Sequence, residues 1–393
     1  MCGIFGFIGE RAAAPILIEG LRRLEYRGYD SSGIVVRDGD LAVHKKIGKV
    51  SELSKVLPNH ISGNTGIAHT RWATHGKVTN ENAHPHLNAD GSVAIVHNGI
   101  IDNAREIRRN LESKGFEFKS ETDSETLVHM ITIGLNSGQE PLEAVRQTLK
   151  RVTGTWGLCA LFKDHDLIIC ARNGSPLILG QGNGESFISS DPHALSQHTQ
   201  NIFFLEDGDM ATLTRKGIEI SKLDGGSSST SMTILEDEWG EADMAGYPHF
   251  MLKEIHEQPE SLRRCISGRL DHANGSAKLG GLKLEPIRLR TSPHVRLIGC
   301  GTALNACKIG QLAIESLARI PAVAHVASEF RYNDPVINTN AIHFAVSQSG
   351  ETADTLSAVK EIQLKGGDVH GIINVVGSTI ARLCGRGVYI HSG

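Results

Sequence analysis

Long apolar runs are missing from this sequence, and so is any surplus of positive charge. No stretch approaches the roughly 20 apolar residues of a membrane-crossing helix, so no transmembrane segment and no membrane partner are expected. The formal net charge is -4 at pH 7. That argues against a nucleic-acid partner, which is ordinarily met by a basic face. No C-x-x-C pair occurs, and the 7 cysteines are irregularly spaced. Free thiols in a reducing compartment are therefore expected, not a disulfide framework. The opening MCGIFGFIGER lacks a basic segment followed by an apolar one, so no signal peptide is expected, and the cytoplasm is the expected compartment. There is no long repeat and no low-complexity tract. What remains is ordinary globular composition, 40% hydrophobic and 21% charged over 393 residues, enough for two or three domains with cores of their own.

Three regions differ in grammar. Residues 2–223 read as short β-rich segments (GIFGFIG, SGIVVRDG, GNTGIAHTRW, SVAIVHNG, TWGLCALFKD) interrupted by blocks of helix. The first helix is expected over 14–25, with Ile16, Leu17, Leu21 and Leu24 on one face. Others are expected over 103–114, 124–135 and 141–151. Such blocks predict stacked layers, not βαβ alternation. Residues 224–284 begin with the polar DGGSSSTSM and continue into an acidic run and a helical stretch, so they are expected to be a linker with connecting helices. Residues 285–393 alternate strand and helix: VRLIGCG, PAVAHVASEF, IHFAVSQSG and GIINVV are expected strands of a parallel, doubly wound sheet.

Cys2 stands out by position. A small residue after Met1 permits removal of the initiator, which leaves a thiol beside its own α-amine. That amine titrates at about 7.7–8.0 in model compounds and can serve as the base for the thiol. Thiol attack on a carboxamide would release ammonia and leave an acyl-enzyme. Asn98 and Gly99, at the end of the strand SVAIV, are either oxyanion donors or a plain Asn-Gly turn. Arg71 is either a fork for an α-carboxylate or a surface ion pair. Asp123 is either a partner for an α-ammonium or the cap of the next helix. His69, His75, His84 and His86 lie close together, but no Cys or carboxylate completes a familiar zinc spacing, so no metal and no cofactor are expected.

Taken in order, CGIFGFIG, LRRLEYRGYDSSG, GIAHTRWATHG, NAHPH, HNGIIDN and SETDSE resemble the glutaminase domain of the isomerising glutamine–fructose-6-phosphate aminotransferases. The resemblance implies an α/β multidomain chain whose first part is the αββα sandwich of N-terminal-nucleophile hydrolases. It implies that Cys2 is the nucleophile and its amine the base, and that Asn98 and Gly99 form the oxyanion hole. By the same resemblance Arg71 and Asp123 bind the two charges of glutamine, and Thr74 and His75 line the pocket. Trp72 gates ammonia, and Arg27 lies in a loop near the nucleophile.

Ser347-Gln348-Ser349-Gly350-Glu351-Thr352 joins a strand to a helix, and Cys300-Gly301-Thr302 makes a second glycine turn. Either could cradle a phosphate monoester at helix N-termini, or the first could be only a hydroxyl-capped helix start. LIGCGTA, ASEFRY and SQSGETADT resemble the sugar isomerase domain of the same family. That implies fructose 6-phosphate held by Thr302, Ser347, Gln348, Ser349 and Thr352. Two positions depart from the family pattern: Ala303 replaces a serine, and Leu304 replaces an aromatic residue. The resemblance also implies a chain cut within the first of two such domains. The substrates expected are glutamine and fructose 6-phosphate, with glucosamine 6-phosphate as product and a homodimer if the chain were full length. The alternative is a glutaminase-only or regulatory chain that binds sugar phosphate without synthase activity. Neither the acidic diphosphate loop of a phosphoribosyltransferase nor the S-G-G-x-D loop of a nucleotide pyrophosphatase is present.

Overall fold

Alternation of apolar side chains along the first strand decides the layering of the N-terminal half. In Gly3–Ile8, Ile4 and Ile8 point one way and Phe5 and Phe7 the other, and all four are fully buried. A strand apolar on both faces must be covered on both. The computed structural model, which describes residues 2–73, 76–234 and 245–392, shows how. The chain divides into two units, Met1–Ala242 and Asp243–Gly393.

The first unit has four layers. One antiparallel sheet carries, in order, Thr233–Ile234, Asn201–Phe204, Ile178–Gln181, Ser186–Ser189, Gly3–Ile8, Thr65–Arg71, Ser31–Asp38 and Asp40–Ile47. The other carries Gly217–Lys222, Asp209–Thr214, Ile168–Asn173, Gly154–Phe162, Val93–Ile101 and His86–Leu87. Ile4, Ile8 and Ile67 of the first sheet meet Ala94, Val96, Cys159 and Leu161 of the second to form the inner core. Phe5 and Phe7 pack outward on the helix Ala13–Leu24 through Ile16, Leu17, Leu21 and Leu24. Gly20 permits that contact, because a Cβ there would lie 2.4 Å from the Phe5 ring. The helices Glu125–Asn136 and Pro141–Leu149 cover the far side of the second sheet. This is an αββα sandwich.

The polar stretch after residue 223, expected to open a linker, is tied to this unit. Asp209 is fully buried, and its carboxylate accepts from Ser228 Oγ at 2.8 Å and Thr230 Oγ1 at 2.6 Å while pairing with Lys222 at 2.6 Å. Thr233–Ile234 then adds to the sheet edge beside Asn201–Phe204. Small polar composition reads as flexible, but these hydroxyls join Lys222 and the Glu206 N–H in satisfying a buried carboxylate.

In the second unit, five parallel strands run in the order Ala322–Val326, Val295–Gly299, Ile342–Ser347, Val369–Ile373, Gly387–Tyr389. Cys307 of the helix Gly301–Ala313 packs on one face of the sheet, and Leu356, Val359 and Ile362 of Ala353–Leu364 pack on the other. The sheet is doubly wound, and its order reverses between Val295–Gly299 and Ile342–Ser347, where such folds bind ligands. The segment PAVAHVASEF is not one strand. It turns helical at Ala327, because Ala327 and Phe330 are drawn together into the core beneath the sheet. Among the described residues, no helix is long and apolar enough to cross a membrane, and all seven cysteines are free.

Candidate active site

Strand parity carries the reactive residues to one end of the inter-sheet layer. Cys2 keeps the parity of Ile4, His69 and Arg71 that of Ile67, and Asn98 that of Ala94 and Val96. Cys2 Sγ accepts from the Trp72 N–H at 3.2 Å. Asn98 Nδ2 donates to the Cys2 carbonyl at 3.1 Å. Behind it, Asn98 Oδ1 faces His69 Nε2 at 2.9 Å.

The electrostatics of the thiol are balanced. Burial pushes Cys2 above its ordinary value, opposed by the Trp72 N–H, by the positive amino terminus and by Arg71, while Asp30 adds to the rise. A thiol held up in this way needs a base before it can attack. Burial lowers the Arg71 guanidinium, and Cys2, Asp30 and Asp123 oppose that shift. Cysteine, cation and two carboxylates therefore share one electrostatic neighbourhood.

Arg71 is 4% exposed, which does not fit a surface ion pair. Its guanidinium donates to the carbonyls of Lys77 at 3.1 Å and Gly76 at 3.4 Å. That turn is held in place by Asn82 Nδ2, which donates to Lys77 O at 2.9 Å and to Glu121 Oε2 at 3.2 Å. The carboxylate of Asp123 does not cap its helix. Oδ2 accepts from the Ile101 N–H at 2.8 Å, which binds the start of the helix to the end of the strand bearing Asn98 and Gly99.

Asn98 and Gly99 are not in a turn. They lie within Val93–Ile101, opposite Gly157 and Trp156. Gly99 is exposed with φ of +131°, and a Cβ there would fall 2.1 Å from the Thr155 carbonyl oxygen. Only glycine accepts this backbone without displacement. The local Asn-Gly signal was real, but the strand runs through it.

Trp72 is 44% exposed and meets Tyr29 edge-on, with ring centroids 5.8 Å apart. Arg27 is not in an open loop. It sits buried in the 3-10 turn Glu25–Arg27, paired with Asp191 at 3.0 Å. The following Gly28 abuts the Arg71–Trp72 backbone, where a Cβ would come within 2.7 Å. Thr74 and His75 lie outside the described residues.

Two neighbours escaped the sequence reading. Asp30 Oδ2 accepts from the Ala73 N–H at 2.8 Å and so anchors the segment that touches Cys2. His69, considered in the sequence only as a metal ligand, lies in a group of buried rings. It stacks on His84 at 4.2 Å and 16°, and His84 meets His86 edge-on at 4.4 Å. Burial lowers His69 and His86 to about 3, and lowers His84 and His97 as well. Among the described residues no His, Cys, Asp or Glu group is arranged to hold a metal.

In the second unit the phosphate-type loop lies at the sheet's switch point. Ser347 Oγ accepts from the Gly350 N–H at 3.0 Å and sits 3.3 Å from Thr352 Oγ1, and Ser349 Oγ accepts from the Glu351 N–H at 3.2 Å. The Thr352 side chain makes no cap to the helix Ala353–Leu364. Gln348 is exposed, and its Oε1 lies 3.5 Å from Ser392 Oγ. Thr302 is exposed in the first turn of Gly301–Ala313, after the adjacent strand. Gly350 approaches the next loop so closely that a Cβ would lie 1.9 Å from Ser378 Oγ.

Comparison with known proteins adds ancestry to this geometry. Residues 69–197 match the glutamine amidotransferase domain family, and residues 288–393 match the SIS domain family. The glutamine–fructose-6-phosphate aminotransferase (isomerizing) of Chlorobaculum tepidum is 45% identical over 402 residues, covering 100% of this chain and 65% of that protein. The enzyme of the same name from Thermus thermophilus is 45% identical over 397 residues, covering 100% and 64%. That from Methanosarcina mazei is 39% identical over 404 residues, covering 100% and 65%. The chain thus spans 64–65% of the length of these relatives. Among solved structures, the glutamine phosphoribosylpyrophosphate amidotransferase of B. subtilis superposes with a TM-score of 0.51 at 20% identity, covering 95% of this chain and 81% of that one. That likeness is one of fold alone.

Proposed function

We infer, for a chain homologous along its whole length to the isomerising glutamine–fructose-6-phosphate aminotransferases, that Cys2 hydrolyses glutamine and that the ammonia is destined for fructose 6-phosphate. The observation that carries the first half is the convergence of Cys2, Arg71, Asn98 and Asp123 on one end of the sandwich.

In this reading Arg71 receives the α-carboxylate of glutamine and Asp123 its α-ammonium. Thr74 and His75 complete the pocket. The carboxamide then faces Cys2. Removal of Met1 leaves the Cys2 amine to take the thiol proton, as the raised thiol requires. Sulfur attacks the carbonyl carbon, and negative charge collects on oxygen. Asn98 Nδ2, which donates to the Cys2 carbonyl at 3.1 Å without substrate, turns that donor on the oxyanion together with the Gly99 N–H. Ammonia leaves as the tetrahedral centre collapses, and water cleaves the thioester to glutamate. Trp72, half-exposed beside Cys2, gates the ammonia. Arg27, buried against Asp191, shapes the loop beside the nucleophile.

Fructose 6-phosphate is assigned to Thr302, Ser347, Gln348, Ser349 and Thr352. The site lies at the switch point of a doubly wound sheet, with hydroxyls gathered at a helix start. The glutaminase domain is taken as 2–234 and the sugar isomerase domain as 285–393, with connecting helices between. A homodimer is assigned only to a full-length chain, and the compartment is taken as the cytoplasm.

The test is to follow glutamate and glucosamine 6-phosphate separately. Wild-type chain should release glutamate from glutamine, and Cys2→Ala should not. Undiminished glutamate release from Cys2→Ala would end this reading.

A further inference from the structure

We propose that His69 is a positioning residue that fixes the orientation of the Asn98 amide, so that Asn98 presents a donor and not an acceptor to the reacting carbonyl. The inference rests on the glutaminase reading above.

A carboxamide has a donor end and an acceptor end of nearly equal shape. Turned by half a revolution, Asn98 would aim oxygen at a developing oxyanion and repel it. Cys2 O accepts from Nδ2 at 3.1 Å, which leaves Oδ1 directed at His69 Nε2 at 2.9 Å. For that contact to be a hydrogen bond, Nε2 must carry the proton. The opposite tautomer would call for the flipped amide. Thus the tautomer of one buried ring selects the face that Asn98 shows to substrate.

The rest of the group holds the ring still. His69 is 1% exposed and stacks on His84 at 4.2 Å. His84 Nδ1 accepts from the His97 N–H at 3.3 Å, and His97 Nδ1 lies 2.8 Å from Ser124 Oγ. His86 Nε2 lies 3.0 Å from Thr122 Oγ1. His69 therefore cannot swing to offer its other nitrogen without disturbing packed rings.

The test uses the whole chain and four variants: His69→Leu, His69→Gln, Asn98→Ala, and His69→Leu with Asn98→Ala. A single oxyanion donor is worth on the order of 10²–10³ in kcat. His69→Leu, which frees the amide to turn, should lower kcat for glutamine by about tenfold to a hundredfold, with KM held within about twofold. His69→Gln restores an N–H donor and should recover most of that loss. In the Asn98→Ala background, His69→Leu should change kcat by less than about twofold. Alkylation of Cys2 by iodoacetamide displaces iodide and forms no oxyanion, so its rate should stay within about twofold in His69→Leu and His69→Gln. A full loss from His69→Leu in the Asn98→Ala background overturns the proposal. So does a parallel fall in alkylation, or no change in kcat. The wild-type protein supplies a check independent of variant folding: histidine ¹⁵N NMR at pH 7 should show His69 as the Nε2–H tautomer, and the Nδ1–H tautomer refutes the idea. Persistence of glutamine hydrolysis in Cys2→Ala would instead strike the underlying reading, so the two failures are distinct.

Discussion

Replacing Gly99 with alanine separates a catalytic backbone from a merely permissive one. Gly99 lies inside a paired strand at φ +131°, and a Cβ would sit 2.1 Å from the Thr155 carbonyl oxygen and 2.7 Å from its carbon. An ordinary contact begins near 3.4 Å, so the strand must retreat by about 1 Å or twist its φ. Either movement carries the Gly99 N–H with it. A 1 Å misplacement, or loss of one oxyanion donor, costs on the order of 10²–10³ in kcat. The strained backbone should also lower stability by about 1–3 kcal/mol. Stability loss alone would say little, so Gly115→Ala is the control. Gly115 has φ +87° at the end of the helix Ala104–Ser113, and a Cβ there meets nothing within 4 Å. It carries similar strain but touches no substrate. The assay is steady-state glutamate release with urea unfolding of both variants in parallel. The expected result is destabilisation of both variants, larger in Gly99→Ala because only its Cβ meets backbone, with kcat lost only in Gly99→Ala. A kcat for Gly99→Ala within about twofold of that for Gly115→Ala would refute the oxyanion assignment.

Two further outcomes follow from the same structure. His69 is lowered from 6.5 to about 3 by burial, so between those values the unfolded chain binds a proton that the folded chain refuses. Stability must then fall as pH drops below 6.5, by about 2 kcal/mol from His69 alone at pH 5, with His84, His86 and His97 adding in the same direction. Urea unfolding at pH 7.5 and pH 5 measures this, and equal midpoints would contradict the neutral group. In the second unit, Ala303→Ser returns a hydroxyl to the first turn of Gly301–Ala313. Calorimetric titration with fructose 6-phosphate should show affinity rising about twofold to tenfold, the worth of one hydrogen bond. Unchanged or weaker binding would show that this position does not reach the ligand.

What could be read from sequence follows the range of the interactions involved. Helical periodicity around Ile16, Leu17, Leu21 and Leu24 is local, and the helix Ala13–Leu24 buries those residues. Strand–helix alternation after Val295 likewise indicates a parallel sheet, and the strand order puts Ser347 and Thr302 beside the switch point. Non-local features were hidden. Asp30 looks like one acid among many until its carboxylate meets Ala73 N. DGGSSSTSM looks like spacer because nothing nearby reveals that a carboxylate at Asp209 awaits its hydroxyls. Asn98-Gly99 has the chemistry of a turn, and only pairing with Gly157 and Trp156 keeps it in a strand. Arg27 shows no local sign of Asp191, 164 residues away.

The position of Gly3–Ile8 in the middle of its sheet has a consequence for biosynthesis. It is made before the other strands of its sheet, yet its neighbours are Thr65–Arg71 on one side and Ser186–Ser189 on the other. At about 5–20 residues per second, the ribosome needs roughly 10–40 s to travel from Phe5 to its partner Ser189. Throughout that interval one edge of GIFGFI is unpaired, with Ile4, Phe5, Phe7 and Ile8 seeking cover. Cys2, next to this strand, is thus made well before the Ser186–Ser189 strand that completes its surroundings. A nascent chain of this protein should depend on cotranslational chaperoning more than its final stability would suggest.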